Sequence, residues 1–482
     1  MAARSGKHRR RAPRFSFTPD QGIPIHGLAL GPPFSRPARA EIPVPGAVPG
    51  AVPGGRMANR PMSAGGAGGA LGRRRTSRRT EYFTYATGLL TDAQGELISF
   101  AIPLWGIMLG LGPLEIGILI SAKAVLPAFF AIHGGSLMDR FGTRAVLVIL
   151  GSACTLLPPF FAAATWFPAL LVLQMLLGMV LSLTWMGSQA LVVYVGRDDP
   201  AMVGRFAFCA RIGVMIAPLV AGALWDFTAP WVVFALTGLT GAGFWIAVSA
   251  LPPAELGEGR EGRGESKPDA RPPFRIADIM PRLSDYIGAI GLLAIPTVTF
   301  VIVVSSIRLS TGTLQTSFYL VYLKEIGLQA TMIGGFMTIT QMSAAVGTLL
   351  AARLTRVVPP VWAFLVLVFI SVFLIYSTPL YGNVLVLLAA VIAVRGCAQG
   401  ASQPIMYGIL SRAVGPEIQA TAIGLRSTGN RVAALILPVM MGAIAEIWGL
   451  NATFFVTGGM LLVILAVLGA WIAVHHPEIA KQ

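Results

Sequence analysis

A series of apolar segments separated by short polar stretches constrains this chain more than any other feature. Each segment is close to the roughly 20 residues that an α-helix needs to cross the hydrocarbon core of a bilayer. The sequence predicts twelve of them, at 82–109, 114–138, 145–165, 169–195, 203–225, 231–251, 297–323, 332–353, 361–378, 384–412, 421–444 and 453–474. Charged residues make up only 12% of the chain, about half of the usage in soluble domains. We therefore predict an all-α, multi-pass membrane protein.

The segments fall into two groups of six, with polar regions on either side. Residues 1–79 are rich in Pro, Gly, Ala and Arg and are predicted to be a disordered basic extension. The first bundle is expected over 80–251, a charged, Gly- and Pro-rich linker over 252–285, the second bundle over 286–475, and a short tail over 476–482. The extension resembles an organelle transit peptide in its arginines, while Met57 and Met62 offer later starts, so its role stays open.

Lysine and arginine are concentrated in alternate loops. They occur in the N-terminal extension, the central linker and the loops after predicted segments 2, 4, 8 and 10, whereas the other loops hold almost none. The positive-inside rule then places both termini and the linker in the cytoplasm. The net charge of +15 is explained by these loops, so a nucleic-acid partner is not expected. The Ala-, Gly- and Arg-rich usage is typical of a GC-rich bacterium, which suggests its inner membrane.

The stretch GSLMDRFGTR, residues 135–144, separates the second and third predicted segments. Its charges between apolar segments predict a tight loop at one membrane face, where glycines allow close approach and reversal. The pattern G-x-L-x-D-R-x-G-x-R resembles the loop between helices 2 and 3 of the major facilitator superfamily. This resemblance implies twelve helices in two pseudo-symmetric six-helix bundles and a cytoplasmic gate motif formed by Gly135, Asp139, Arg140, Gly142 and Arg144.

The two halves of the chain also resemble each other. Ile116-Gly117 matches Ile333-Gly334, and Ser188-Gln189 matches Ser402-Gln403. In the fifth and eleventh segments the matched pairs are Gly204 and Gly424, Arg211 and Arg431, Pro218 and Pro438, Gly222 and Gly442, and Asp226 and Glu446. Parallel six-helix repeats are expected to hold the substrate at mid-depth between them. The match of Arg211 with Arg431 favours a structural role for both.

Two acids, Asp92 and Glu96, lie inside the first predicted segment. Four residues apart, they share a helix face, about 15 to 21 Å along the segment. A charged side chain there costs about 2.5 to 3.5 kcal/mol unless it faces a cavity, has a partner or is neutral. Because an apolar environment favours the protonated form of a carboxyl, these acids are our candidates for proton coupling. A purely structural hydrogen-bonded acid is the alternative.

Arg308 in the seventh segment is the predicted counterpart of these acids, because the repeat places it within one residue of the position matching Asp92. It could neutralise Asp92 or Glu96 in one state, or bind an anionic group of the substrate; an arginine turned to the membrane interface is the alternative. The candidates for the substrate cavity are Arg308, Gln315, Tyr319, Gln189, Arg395 and Gln399. Lys123 could be a third charge in the cavity or extend to the interface.

The fifth segment contains GVMIAPLVAG, in which Gly213, Pro218 and Gly222 form a predicted packing motif. It is similar to the G-x-x-x-G-P-x-x-G-G stretch of antiporter branches of the superfamily, with Ala217 and Ala221 in place of two glycines. Small residues around a proline allow close packing and a bend that could seal a cavity. The eleventh segment has a comparable proline and glycine, which also agrees with a general packing role.

These features predict a secondary transporter that works by alternating access and not an enzyme, since no ATP-binding or metalloprotease motif is found. The leading hypothesis is proton-coupled antiport exporting a small amphipathic molecule. The alternatives are a proton or ion symporter importing a small organic acid or sugar, and a membrane sensor or assembly factor without transport activity. We expect no cofactor beyond the proton gradient, no metal, a small-molecule substrate, contact with the lipid bilayer, and a monomer.

Overall fold

The computed structural model describes residues 77–196, 199–252, 291–382, 384–414 and 418–480, all within one compact unit, Arg73–Gln482. The N-terminal helices are α1 (Arg78–Met108), α2 (Pro113–Phe141), α3 (Thr143–Ala163), α4 (Phe167–Val195), α5 (Pro200–Phe227) and α6 (Trp231–Ser249). The C-terminal helices are α7 (Pro296–Gln315), α8 (Phe318–Glu325), α9 (Ala330–Leu354), α10 (Pro360–Tyr376), α11 (Leu385–Ala413), α12 (Gln419–Trp448), α13 (Leu450–His475) and α14 (Pro477–Ala480). These ranges contain no strand. Most of the predicted extension and nearly all of the predicted linker lie outside the described residues.

The helices account for the twelve predicted crossings. Ten helical stretches in the described ranges are long and apolar enough to cross a membrane, counting α7 and α8 together as Pro296–Glu325. The 17-residue α10 is apolar but shorter. The last crossing is α1, which has 31 residues but carries Asp92, Gln94 and Glu96 in its interior. An all-α fold with twelve crossings is therefore confirmed.

The seventh predicted segment is broken, which the sequence pattern did not predict. Helix α7 ends at Gln315 and α8 begins at Phe318, with Ser317 outside helical geometry at φ −131° and ψ −104°. The hydroxyl groups of Thr316 and Ser317 donate to the carbonyl oxygens of Gly312 and Thr313 at 3.3 and 2.6 Å. Such side-chain bonds offer the backbone an alternative to the helical pattern, so the crossing is two helices and not one.

The loop predicted over 135–144 is much shorter in the structure. Helix α2 continues to Phe141 and α3 begins at Thr143, leaving only Gly142 between them. Gly142 has a φ of +85°, a backbone conformation that glycine adopts without a Cβ clash. The prediction of a loop was wrong in extent because it was based on charge, and charged residues are compatible with the last turns of a helix.

The helices form two bundles, each with its own aromatic core. In the first bundle α1 packs against α5 and α6, and α3 packs against α6. Trp105 and Phe161 both pack on Phe234, with ring centroids 5.3 and 5.7 Å apart. In the second bundle α9 and α10 pack on α11, and Phe300 contacts Phe364 edge-on at 6.1 Å. Each bundle is thus stabilised by its own buried apolar contacts.

The bundles contact each other through α5 with α9 and through α2 with α12. A Cβ added at Gly334 would collide with the carbonyl oxygen of Pro218, and one added at Gly117 with that of Pro438. These two contacts are related by the internal repeat, which matches Gly117 with Gly334 and Pro218 with Pro438. The repeat therefore corresponds to equivalent positions on the two halves of one interface.

These close contacts lie at one end of the molecule, which we call the closed end; it carries the turns at 109–112, 228–230, 326–329 and 449. The opposite end, the open end, carries Gly142 and the turns at 355–359 and around 414–418. There the matched glycines Gly204 of α5 and Gly424 of α12 would have no heavy atom of the described residues within 4 Å of an added Cβ. Helices α5 and α12 are therefore in close contact with the other bundle at Pro218 and Pro438, and they leave room at Gly204 and Gly424.

Candidate functional site

Two adjoining cavities lie between the bundles at mid-depth. The first has a volume of about 370 Å³ and the second about 430 Å³. Both are lined by helices of both bundles, and Thr316, at the break between α7 and α8, lines both. The helix break therefore lies where the two cavities meet.

The first cavity has a mostly apolar wall with a few charged groups. Its charged side chains are Asp92, Lys123 and Arg431. The other described lining residues are Thr91, Gly95, Ser99, Ile102, Pro103, Ile120, Ala124, Pro127, Gln174, Gly178, Leu181, Ser182, Trp185, Thr313, Thr316 and Ala434. Arg431 Nη2 donates to Ser182 Oγ at 3.5 Å, which joins α12 to α4 across the cavity. This cavity can hold an apolar body in contact with charged groups.

The second cavity is more polar. Its charged side chains are Glu96, Arg211 and Arg308. The other described lining residues are Met215, Gly312, Gln315, Thr316, Thr340, Gln341, Ala344, Ala345, Thr348, Gln399, Gly400 and Gln403. Four glutamine amides can donate or accept hydrogen bonds there. The second cavity therefore suits a polar or charged part of a ligand.

The two acids of α1 lie in neighbouring cavities. Asp92 lines the first cavity and Glu96 the second, and the two carboxyls interact electrostatically with each other. Between them in sequence, Gln94 points the other way and donates to the carbonyl oxygens of Cys154 and Thr237 at 2.7 and 3.1 Å. This amide anchors α1 to α3 and α6. The carboxyls of Asp92 and Glu96, in contrast, face the cavities.

Two cationic groups interact with Glu96, and no ion pair joins Glu96 to a cation in the described part of the chain. Glu96 interacts electrostatically with Lys123 of α2 and with Arg211 of α5. The Lys123 ammonium donates to Ser99 Oγ at 2.7 Å. Arg211 interacts electrostatically with both Asp92 and Glu96. A change in the protonation of either acid would therefore change the net charge that Arg211 experiences.

Arg308 lines the second cavity together with Glu96. Its Nη1 donates to the carbonyl oxygen of Gln399 at 3.5 Å, and its buried Nε has no hydrogen-bond partner in the described part of the chain. Neither Asp92 nor Glu96 forms an ion pair with it in this structure. The structure thus brings Arg308 into the same cavity as Glu96 but does not show the direct pairing that we considered from the sequence.

The other predicted cavity residues divide into two groups. Gln315 and Gln399 line the second cavity with Arg308. Arg395 and Tyr319 are almost fully buried and are absent from the described lining of both cavities, while Gln189 is exposed elsewhere on α4. The assignment of these residues to substrate binding stays a prediction.

Arg395 lies behind the wall of the second cavity. Its Nη1 donates to Gln315 Oε1 at 2.7 Å and its Nη2 to the carbonyl oxygen of Thr311 at 2.8 Å. Gln315 Nε2 in turn donates to Thr340 Oγ1 at 2.8 Å, and both Gln315 and Thr340 line the cavity. Arg395 is therefore placed to fix the orientation of a cavity amide.

Sequence reasoning missed three arginines near the site. Arg211 and Arg431 were interpreted as structural because they match each other, yet Arg211 lines the second cavity and Arg431 the first. Arg426 is buried, stacks on the Tyr407 ring at 5.2 Å, and interacts electrostatically with Arg308. The signal that could have identified all three is that an ionisable residue inside a membrane helix marks a functional site by default.

The carboxylate of Asp226 joins the two bundles at the closed end. Asp226, near the C-terminus of α5, accepts hydrogen bonds from the backbone amides of Ala330 and Thr331 at 3.1 and 2.7 Å, and from Thr331 Oγ1 at 2.8 Å. These amides are at the N-terminus of α9, where a carboxylate is favoured by unpaired donors and by the helix dipole. Its repeat partner Glu446 accepts a weaker bond from the Leu114 amide at 3.4 Å. Asp226 therefore links the two bundles directly.

We expect Asp226→Ala to weaken this closure. Hydrogen bonds to a charged acceptor contribute about 1.5 to 3 kcal/mol each, so losing them should shift the open-to-closed equilibrium of this end by about tenfold or more. Spin labels at Phe227 and Met332, which are both exposed and flank the contact, would report a longer distance distribution. Glu446→Ala is the matched control and should produce a smaller change; an equal or larger change would contradict the role of Asp226.

The predicted gate motif lies at the open end. Gly135, Asp139 and Arg140 are in the last turns of α2, but the placement of their side chains lies outside the described residues. Gly142 forms the junction, and Arg144 Nη2 donates to the carbonyl oxygen of Ser249 at 2.8 Å, at the end of α6. The gate role of the motif stays a prediction.

The glycines of the predicted helix-5 motif face two different neighbours. A Cβ at Gly213 would collide with the carbonyl oxygen of Leu89 on α1, within the first bundle. A Cβ at Gly222 would collide with the carbonyl oxygen of Ala330 on α9, and Pro218 faces Gly334 of the same helix. One end of the motif therefore packs within the bundle, and the other end packs across the interface.

Comparison with solved structures agrees with this architecture. The nucleoside transporter NupG has a TM-score of 0.66 and 14% sequence identity, covering 81% of this chain and 98% of that protein. A bacterial homologue of the human lysosomal transporter Spinster, in an inward-facing and unoccupied conformation, has a TM-score of 0.58 and 16% identity over 82% and 96% of the two chains. A POT family transporter in complex with 5-aminolevulinic acid has a TM-score of 0.64 and 13% identity over 84% and 97%. At such identities the likeness shows the fold alone.

Among curated proteins, none matches this sequence. The family profile of the Major Facilitator Superfamily matches residues 84–393 and 300–482, which together include both bundles. The family and the structural neighbours are transporters and not enzymes. Two bundles, an internal repeat and cavities at mid-depth agree with a secondary transporter. The chain belongs to the Major Facilitator Superfamily and is a multi-pass membrane transporter of the secondary type.

Proposed function

We propose that the protein is a proton-coupled antiporter that exports a small amphipathic molecule by alternating access. The observation that carries the proposal is the placement of Asp92 and Glu96, two intramembrane acids on one helix that line two adjoining cavities between the bundles. An acid inside a membrane helix is energetically costly, and it therefore marks a functional site by default. A carboxyl that gains and loses a proton there would couple the proton gradient to the occupancy of the cavities.

The electrostatics of the site support coupling between proton binding and ligand binding. Glu96 and Asp92 both interact with Arg211, and Glu96 also interacts with Lys123. Protonation of an acid removes a negative charge from a region of low dielectric, where charge interactions are stronger than in water. Proton binding and ligand binding would then alter each other's free energy, because both change the charge balance around Arg211. Such mutual dependence is what coupled transport requires.

We propose that the open end faces the cytoplasm. Arg144, Arg356 and Arg412 lie at or near the open end, and the positive-inside rule favours the cytoplasm for such a surface. In this conformation the site would be closed to the outside by the contacts of Asp226 and of Gly334. We further propose the bacterial inner membrane as the location, with both termini cytoplasmic, and a monomer as the working unit.

Symport of a small organic acid into the cell is the second candidate function. It is favoured by Arg211 and Arg308, which together outnumber the one acid, Glu96, in the second cavity. An anion entering with a proton would bring its own negative charge to these guanidinium groups. The two candidates differ in whether substrate and proton move in opposite directions or together.

Everted membrane vesicles with an acidified lumen test both candidates. The pH gradient is followed with a quenched dye while amphipathic compounds are added outside, at the face that corresponds to the cytoplasm. For antiport we expect added substrate to collapse the gradient in vesicles that contain the protein and not in vesicles that lack it. Release of protons together with compounds preloaded in the lumen would instead establish symport. A gradient unaffected in both formats by a broad panel would contradict proton coupling.

A further inference from the structure

The second cavity and its surroundings contain more cationic than anionic groups. Arg211 and Arg308 line it together with one acid, Glu96. Arg308 is repelled electrostatically by Arg211 and by the buried Arg426. No ion pair joins Arg308 or Arg211 to a carboxylate in the described part of the chain. The protein therefore leaves positive charge at mid-depth without a close counter-charge.

The hydrogen-bonding groups of Arg308 are also incompletely used. A guanidinium has five donors, yet within the described residues the Arg308 side chain makes one bond, at 3.5 Å, to the carbonyl oxygen of Gln399. Its Nε is buried and has no partner among the described residues. A buried donor without an acceptor costs about 1 to 3 kcal/mol, and more when it is charged. An oxyanion bound at Arg308 would supply both the missing acceptor and the missing charge.

The surroundings of Arg308 are suited to recognise such a group. Arg211 comes from the first bundle and Arg308 from the second, so an anion between them would contact both halves of the transporter. Gln399 and Gln403 of α11 present amides to the same cavity. The first cavity, which adjoins it at Thr316, has an apolar wall that includes Leu181 and Trp185. A ligand with an anionic head and an apolar body fits this combination.

We infer that the transported molecule is a small organic anion whose carboxylate or other oxyanion binds between Arg308 and Arg211, with its apolar body in the first cavity. This inference deepens the proposed function by naming the charge of the ligand. It applies to antiport and to symport alike, and it rests on the proposed function for transport but not for binding itself. An amphipathic compound that is neutral or cationic would leave the arginines unpaired. The substrate class is therefore defined by its negative charge.

Equilibrium binding to the purified full-length protein tests the inference without any gradient. Isothermal titration is carried out with matched pairs of small aromatic and aliphatic carboxylates and their primary amides. We expect at least one carboxylate to bind about 10- to 100-fold more tightly than its amide, the ratio that charged hydrogen bonds provide. Arg308→Gln should remove this preference, whereas Arg356→Gln should retain it because Arg356 is exposed at the open end.

Further variants keep the test decisive. If Arg308→Gln does not fold, Arg211→Gln replaces it, since Arg211 is exposed to the space between the bundles, and it should also reduce the preference. Compared with Arg308→Gln, Arg308→Lys should recover part of the affinity for the carboxylate. Lysine restores the positive charge but not the planar arrangement of N–H donors that arginine provides. Carboxylates that bind no better than their amides, or a preference unchanged in both Arg308→Gln and Arg211→Gln, would overturn the inference. A proton-coupling failure in vesicles would leave these binding results unaffected, so the two proposals can fail separately.

Discussion

Replacing Gly334 with alanine is expected to lower the transport rate by about tenfold or more while the protein still folds. The added Cβ would collide with the carbonyl oxygen of Pro218 on α5, and a backbone oxygen cannot move aside as a flexible side chain can. Overpacking of this kind costs about 1 to 3 kcal/mol. The cost applies only when the two bundles meet at the closed end, so it should favour conformations open at that end by about tenfold or more.

The neighbouring glycine provides a matched control. Gly335 lies on the same helix, and a Cβ there would meet no described atom within 4 Å. Both substitutions remove the same backbone flexibility and raise helix propensity by about 0.5 to 1 kcal/mol. The difference between Gly334→Ala and Gly335→Ala therefore isolates the contact with Pro218. We expect Gly335→Ala to transport at the rate of the unmodified protein.

Thiol labelling measures the predicted shift. Thr338 donates to the carbonyl oxygen of Met215 across the same interface at 2.7 Å, so a cysteine introduced there reports opening of the closed end. The three natural cysteines, Cys154, Cys209 and Cys397, are first replaced by serine or alanine. Labelling should be faster with Gly334→Ala than with Gly335→Ala. Equal labelling and equal transport in both variants would show that this contact is not part of the transport cycle.

The sequence predicted the fold well because hydropathy and helix length act locally. The twelve apolar segments of the sequence have nearly the same bounds as the membrane-crossing helices of the structure. The internal repeat also matched Gly117 with Gly334, and these two glycines occupy equivalent positions in the interface between the bundles. The break at Thr316 and Ser317 was not predicted, because it depends on hydroxyl bonds to carbonyls one turn away. Apolar periodicity gives no signal for such a local competition.

The cavity residues were predicted less completely, for a geometric reason. Arg308 and Gln315 are seven residues apart and share a helix face, and both line the second cavity. Arg395 is four residues before Gln399, and both were predicted to line the cavity, yet Arg395 turns towards α7 and donates to Gln315. Spacing gives the relative direction of two side chains, but the rotation of each helix about its axis depends on packing with its neighbours.

Glu96→Gln is expected to abolish coupling of transport to the proton gradient. The amide has nearly the shape of the carboxyl, so the second cavity and its contacts should persist, but it does not take up or release a proton in the physiological range. The side chain at position 96 would then stay uncharged throughout the transport cycle. The charge interactions of Glu96 with Lys123 and Arg211 would be absent in every state. In everted vesicles, addition of substrate should then leave the pH gradient unchanged.

Exchange of labelled for unlabelled substrate across the membrane should survive in Glu96→Gln. Exchange needs only that the loaded transporter reorients, and it needs no net proton movement, so its retention would separate loss of coupling from loss of folding. Glu115→Gln is the matched control, because Glu115 caps the start of α2 by accepting from the Gly112 amide at 3.0 Å and lies outside the described lining of both cavities. It should keep both the gradient response and exchange.

Asp92→Asn distinguishes the roles of the two acids. Asp92 lines the first cavity and interacts with Glu96 and Arg211. If Glu96 carries the proton, Asp92→Asn should retain a gradient response, because Glu96 lies in the second cavity and keeps its electrostatic interactions with Lys123 and Arg211. If the response is lost in Asp92→Asn and normal in Glu96→Gln, the proton carrier is Asp92. A normal response in both variants and in the double variant would show that the proton moves through neither acid, and the proposal of coupling through α1 would have to be abandoned.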